Sequence, residues 1–147
     1  MTRTRSFLKR HSLGLVSSLI LASWIVLYSR SDPSTHLGAF LGNAIADWTG
    51  VVVMVYATKF LYERGSTESR KPPRHWAGPL LQKLQEHSLS IFLLLTGAGW
   101  VALFVSADSE SKWGQVAGNI VSEWTQIFGL VLMTKELLEI HSKESRR

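Results

Sequence analysis

Hydrophobic residues are concentrated in four blocks of the chain, separated by short polar stretches. The blocks cover residues 12–29, 37–62, 88–107 and 113–140. Each block is long enough to cross the hydrocarbon core of a bilayer, which takes about 20 residues in a helix. The first and third blocks carry no charged residue, which an amphipathic helix of a soluble protein would rarely allow. The pattern therefore predicts an all-α membrane protein with four transmembrane helices.

The sequence also repeats itself at a distance of 76 residues. Residues 11–70 align with residues 87–146 without a gap, and 22 of the 60 positions are identical. Each copy holds two hydrophobic blocks, so both copies must cross the membrane in the same direction, as a parallel repeat about an axis along the membrane normal. We expect a first two-helix repeat (1–62), a cytoplasmic linker (63–86) and a second two-helix repeat (87–147). The basic N-terminus could suggest a signal peptide, but its internal counterpart indicates a retained helix.

Basic residues are distributed unequally between the two sides of this topology. Of the 16 Lys and Arg residues, only Arg30 and Lys112 fall on the side opposite the termini and the linker, so 16 − 2 = 14 share the other side. Because Lys and Arg favour the cytoplasmic side, both termini are expected in the cytoplasm. The net charge of +5 is explained by this topology and by anionic lipid, so nucleic acid is not an expected partner.

The linker is rich in Gly, Ser and Pro over residues 64–79, a composition that favours an extended, solvated connection that need not pack. From Pro79 onward the leucines Leu80, Leu81 and Leu84 predict a short amphipathic helix that leads into the third span. Proline suits the first turn of such a helix, because its missing N–H is not needed there.

Polar residues inside two of the spans are the main candidates for chemistry. Asn43 and Asp47 lie in the second span, and Asn119 and Glu123 occupy the matching positions in the fourth. Residues four apart share a helix face, and an acid within the membrane by default marks an ion pathway or a proton relay. If the two faces met on the repeat axis, two carboxylates and two amides would lie together. The threonines further along the same faces are Thr58 and Thr134.

Two other interpretations of these polar residues remain open. Asn and a protonated acid can serve as hydrogen bonds between helices, each contributing about 1 kcal/mol. Alternatively, the helices protrude and place these groups in the interfacial zone. Helix packing is expected at the GxxxG glycines, and interface anchoring at tryptophans and lysines near the span ends. The packing glycines are Gly38, Gly42, Gly114 and Gly118, and the anchors are Trp24, Trp100, Trp113, Lys59 and Lys135.

Several classes of chemistry find no support in the sequence. Cysteine is absent, which excludes disulfides and thiolate metal sites. The five histidines show no metal-ligand spacing, no cofactor is expected, and no motif of a known enzyme class is present. The leading hypothesis is an ion- or proton-handling membrane protein that forms homo-oligomers in the lipid bilayer. The alternative is a non-catalytic structural or accessory subunit of a larger membrane complex.

Three segments carry a resemblance to other proteins. They are HSLSIFLLLTGAGW (87–100), GNIVSEWTQIFGLVLMTKELLE (118–139) and the tail ERGSTESR (63–70). The chain resembles an uncharacterised family of small bacterial integral membrane proteins with an NSLSI-like start and an RGSxESK-like tail, here as a tandem duplication. The resemblance implies a bacterial inner membrane and no particular activity. The second tail departs from the pattern, with Ile140 and His141 where the family has Arg-Gly.

Overall fold

Five helices make up the regular structure of the described part of the chain. The computed structural model describes residues 2–69 and 78–137, with side chains from residue 9 onward, and these residues contain no strand. The helices are α1 (Thr2–Arg30), α2 (His36–Ala57), α3 (Pro79–Glu86), α4 (Ser88–Ser106) and α5 (Lys112–Glu136). All but α3 are long and apolar enough to cross a membrane, α1 over Lys9–Arg30. The all-α fold with four candidate spans is thereby confirmed.

The turns that lead into α2 and α5 are built in the same way. In the first turn the Thr35 hydroxyl accepts a hydrogen bond from the Gly38 amide at 3.0 Å, and in the second Ser111 accepts one from the Gly114 amide at 3.0 Å. These caps satisfy amide groups that the first turn of a helix leaves without partners. An aspartate carboxylate also accepts the amide two residues on, from Ser34 to Asp32 and from Glu110 to Asp108.

Gly38 and Gly114 are required by these turns. A Cβ atom at Gly38 would overlap the carbonyl oxygen of Asp32, and one at Gly114 would overlap that of Asp108. Both glycines therefore admit the backbone of the preceding turn. The sequence predicted a close approach of a neighbouring span at these positions, whereas the atoms nearest to an added Cβ belong to the preceding turn.

Gly42 and Gly118 each lie under an aromatic ring of the preceding helix. A Cβ at Gly42 would lie 3.3 Å from the Tyr28 ring, and one at Gly118 would lie 2.9 Å from the Phe104 ring. The rings occupy matching positions of the two copies, 76 residues apart. These glycines thus serve packing within each helix pair, between α1 and α2 and between α4 and α5.

The helices α2 and α5 form the centre of the bundle. They contact each other, while α1 packs on α2 and α4 packs on α5. At one end the Tyr28 hydroxyl donates to the Lys112 carbonyl at 2.7 Å, which joins the end of α1 to the start of α5. At the other end Lys135 of α5 reaches Glu63, which follows α2. The two central helices therefore run side by side in the same direction.

Two features of the chain differ from the sequence predictions, and one agrees. The second span ends at Ala57 and not at Tyr62, because Thr58 closes the helix and a series of turns follows it. The linker is not wholly solvated, since Ser66 and Ser69 are buried. The short helix α3 forms with proline in its first turn, as predicted. The end of the fourth block, beyond residue 137, lies outside the described residues.

The hydroxyl of Tyr28 offers a test of the contact between the two helix pairs. Tyr28 is only 1% exposed, and its hydrogen bond to Lys112 links helices that are distant in sequence. Tyr28→Phe keeps the ring on Gly42 and removes this bond, so unfolding in detergent should be easier by about 1 kcal/mol. Tyr56→Phe is the control, because the Tyr56 hydroxyl lies on the exposed surface 3.4 Å from that of Ser18. Equal losses in both variants would contradict the prediction.

Candidate functional site

The polar residues of α2 lie on an outward face of the bundle. Asn43 and Asp47 are exposed, in line with the exposed apolar residues Phe40 and Val51. The faces that carry the acids in α2 and α5 therefore do not meet symmetrically. This differs from the prediction that the two faces meet on the repeat axis. In a single chain, one of the two acids is left on the surface.

Glu123, the matching acid of α5, lies at the contact between the central helices. It is half-buried, and its Oε1 would be 2.6 Å from a Cβ at Gly50 of α2. The glycine surface thus makes room for the carboxylate. Asp47 lies three residues before Gly50 on α2, so the two acids belong to adjacent turns at the contact of the central helices. Asn119, one turn earlier on α5, is also half-buried.

The two central helices use different faces for their mutual contact. α2 contributes its small residues Ala46 and Gly50, both buried, whereas Ser122 and Gln126 at the matching positions of α5 are exposed. α5 contributes Glu123 and Ile127, which lie against Gly50, whereas the matching Asp47 and Val51 of α2 are exposed. A contact between unlike faces of repeated units is heterologous. It leaves the Asp47 and Val51 face of α2 and the Ser122 and Gln126 face of α5 unused.

The threonines predicted to share the acid faces lie at the far end of the helices. Thr58 is 58 − 47 = 11 residues from the acid of its helix, about 16 Å along the axis. Its hydroxyl donates to the Met54 carbonyl at 2.6 Å. Thr134 is buried and exchanges a hydrogen bond with Ser66 at 2.9 Å. The structure therefore does not bring the acids and the threonines into one site.

The tryptophans and lysines make distinct contacts. Trp100 packs on Trp124, whose indole N–H donates to Thr96 at 2.9 Å. Lys59 lies 4.4 Å from the ring centre of Tyr56, and Lys135 is bound to Glu63. Trp24 meets Phe40 edge to face, and Trp113 meets Tyr28 in the same way.

Comparison of the chain with protein-family models, with curated proteins and with solved structures gives no match in any of the three. Among the described residues, no group of three or more His, Asp or Glu side chains is placed to hold a metal ion.

A buried carboxylate at the end of the central helices was missed by the sequence analysis. Glu63 is 0% exposed, and its Oε1 lies 2.7 Å from both Lys135 Nζ and His87 Nδ1. Its Oε2 accepts from the backbone amide of Ser90 at 3.2 Å. Burial alone would raise the pKa of Glu63, but the hydrogen bonds from Lys135, Ser90 and His87 together hold that pKa below its usual value.

The segment that follows Glu63 fills the groove between the start of α4 and the end of α5. Ser69 closes the segment on itself, since its hydroxyl accepts from the Glu63 amide at 2.8 Å and donates to the Glu63 carbonyl at 3.1 Å. Ser66 reaches Thr134, and the Tyr62 amide donates to Ser88 at 2.9 Å. Residues 63–69, here named the first tail, thus join the first copy to the second.

The internal repeat carried a signal for this cluster. Several of its polar residues are retained at the matching positions of the other copy, although they lie at the ends of the spans, where ordinary solvated residues could vary. The retained pairs are His11/His87, Ser12/Ser88, Thr58/Thr134, Lys59/Lys135, Glu63/Glu139, Ser66/Ser142 and Ser69/Ser145.

Proposed function

We propose that this chain is a small multi-pass protein of the bacterial inner membrane that handles protons or cations through Asp47 and Glu123. Its two copies form a parallel repeat, with both termini in the cytoplasm. The observation that carries the proposal is the packing of Glu123 of α5 on Gly50 of α2, less than one turn from Asp47 on the same apolar helix. α2 contains no Lys or Arg, and those of α5 lie near its ends, at Lys112 and Lys135.

The chemistry of such a pair favours a bound cation or a shared proton. A carboxylate in a hydrocarbon environment is costly unless a partner offsets its charge. Two carboxyl groups on adjacent turns offer acceptor oxygens for one bound cation or one shared proton. Asn43 and Asn119, each one helical turn away, add amide oxygens of the kind that bind hard cations.

A second candidate is a structural or accessory subunit of a larger membrane complex. The exposed face of Asn43 and Asp47 favours it, because a polar face in lipid calls for a protein partner. We do not propose an enzymatic role or a cofactor.

Proton and cation flux through reconstituted vesicles tests the proposal. The double variant Asp47→Asn, Glu123→Gln keeps the shape of both side chains and removes both charges, so flux should fall to the level of vesicles without protein. The control is Glu136→Gln, an exposed carboxylate at the end of α5, which should keep wild-type flux. Unchanged flux in the double variant would refute the proposal. Recovery of one stoichiometric partner in mild detergent, with no flux in the wild type, would favour the accessory role.

A further inference from the structure

An open pocket of about 380 Å³ lies between the first part of α1 and the end of α2. The side chains of Arg10, His11, Thr58 and Lys59 line it, and Gly14 forms part of its wall. Three basic or titratable side chains and a hydroxyl thus surround a space at the end of the helices, and they outnumber the single carboxylate there, that of Glu68. An anionic segment with hydroxyl groups would complement it.

The pocket is the first-copy counterpart of the groove that the first tail fills in the second copy. There, His87, Ser90 and Lys135 bind Glu63, and Thr134 binds Ser66. The counterparts of these residues, 76 positions earlier, are pocket residues. The pairs are His11/His87, Gly14/Ser90, Thr58/Thr134 and Lys59/Lys135. The two grooves therefore share three side chains, filled in the second copy and open in the first, although α1 runs unbroken past His11 and Gly14 whereas α4 begins at Ser88.

We propose that the C-terminal tail of a second copy of this chain docks in the open pocket. This tail, residues 139–146, lies outside the described residues, but its sequence matches the first tail in Glu139, Ser142, Glu144, Ser145 and Arg146. By analogy with the filled groove, the Glu139 carboxylate binds Lys59 and His11, and the Ser142 hydroxyl binds Thr58. Glu68 also lines the pocket, and the tail brings the basic Lys143.

The faces of the central helices direct this tail to another chain. α5 already uses its Glu123 and Ile127 face on α2, so the face of Ser122 and Gln126 points away from the chain's own first copy. An equivalent contact, with the larger Gln126 in the position of Gly50 and the shorter Asp47 in that of Glu123, places Ser122 and Gln126 of one chain against the exposed Asp47 face of the next. The C-terminal tail of one chain then reaches the first copy of the next chain, just as the first tail reaches the second copy within a chain.

A heterologous contact of this kind closes into a ring when the rotation between units allows it. The two contact faces of a central helix are about 80° to 120° apart, at about 100° per residue. An angle of that size between successive contacts closes a ring of roughly four to six central helices. Since each chain supplies α2 and α5, the ring contains about two or three chains. In such a ring the partner chain covers the Asn43 and Asp47 face. The inference stands whether or not the protein conducts ions.

Two differences between the tails are compatible with docking. Arg64 forms a surface ion pair with Glu86, and its counterpart Ile140 would face Arg10, so no buried contact is lost. Gly65 has a positive φ of 86°, where the second tail has His141. Histidine adopts left-handed backbone more readily than branched residues do.

Disulfide formation between singly substituted full-length chains tests the inference, because the chain contains no cysteine of its own. Chains with Thr58→Cys and chains with Ser142→Cys, bearing different tags, are mixed, reconstituted and oxidised. We expect a covalent dimer that carries both tags. Ser66→Cys with Thr134→Cys in one chain is the positive control, since those hydroxyls lie 2.9 Å apart. Ser109→Cys, in the turn at the opposite end, replaces Thr58→Cys in the negative control.

Each outcome of this experiment decides the proposal. A mixed dimer with Thr58→Cys that is absent with Ser109→Cys, and that weakens on adding Glu139→Lys, supports docking between chains. A disulfide within one chain carrying both Thr58→Cys and Ser142→Cys, with no mixed dimer, would show that the tail docks on its own chain and would overturn the proposal. The absence of any crosslink, with the positive control formed, would also overturn it.

Discussion

Replacement of Glu63 by alanine is expected to lower the free energy of unfolding by about 2–3 kcal/mol, because a buried charged hydrogen-bond network loses its centre. The carboxylate is fully buried and binds the Lys135 ammonium, the His87 imidazole and a backbone amide. The expected loss in free energy of unfolding is smaller than for a wholly buried ion pair, because the side chains of Lys135 and His87 are 22% and 47% exposed. Unfolding by denaturant in detergent micelles measures the loss.

The pH dependence of unfolding checks that the charge of Glu63 is responsible. The pKa of Glu63 is lowered in the folded state, so its stabilisation is complete above its ordinary pKa of about 4.3 and is lost as the pH falls through the lowered value. Wild type should therefore lose stability on acidification below about pH 4, and Glu63→Gln should lose less over the same range. Glu136→Gln, at an exposed carboxylate, should follow the wild-type curve. Parallel curves for wild type and Glu63→Gln would refute this account.

The spans and turns could be predicted from the sequence because their causes are local. Uncharged apolar blocks specify helices that cross a bilayer, and Thr35 and Ser111 specify where α2 and α5 begin. Pro79 similarly marks the start of α3. Each of these features depends on residues within one or two turns of chain.

The rotation of the helices about their axes could not be predicted, because lipid and protein interior are equally apolar. Asp47 and Glu123 occupy matching positions, yet one is exposed and the other half-buried. The difference arises one turn away, where Gly50 in the first copy leaves room for Glu123 and Gln126 in the second copy does not offer the same surface. A small residue in one copy thus decides which face of each helix is used.

The Glu63 cluster escaped prediction for a different reason. Gly, Ser and charged residues outside a span are typical of solvated linkers, and their composition carries no sign of burial. The first tail packs because its hydroxyls and carboxylate find partners in α4 and α5, as Ser66 does in Thr134. Those partners are distant in sequence, and only the retention of matching polar residues in the two copies, such as Lys59 and Lys135, hinted at them.

The variants Gly38→Ala and Gly114→Ala should each destabilise the protein by about 2–3 kcal/mol, at the upper end of what overpacking costs. In each case the added Cβ would overlap a backbone carbonyl oxygen of the preceding turn, Asp32 or Asp108, and a backbone cannot rotate aside as a side chain can. The turn must shift, and it takes with it the hydroxyl cap that holds the start of α2 or α5.

Gly99→Ala is the matched control for these two variants. A Cβ at Gly99, within α4, would have no atom within 4 Å outside its own helical turn. Alanine there therefore reduces the backbone flexibility of the unfolded chain without causing a clash. Its stability in detergent should equal or exceed that of wild type, whereas both turn variants should unfold earlier. A turn variant as stable as Gly99→Ala would mean that the carbonyl can move at little cost. The repeat adds a second test. Gly38→Ala and Gly114→Ala, 76 residues apart, should have the same effect only if the glycine at this position shapes both turns in the same way.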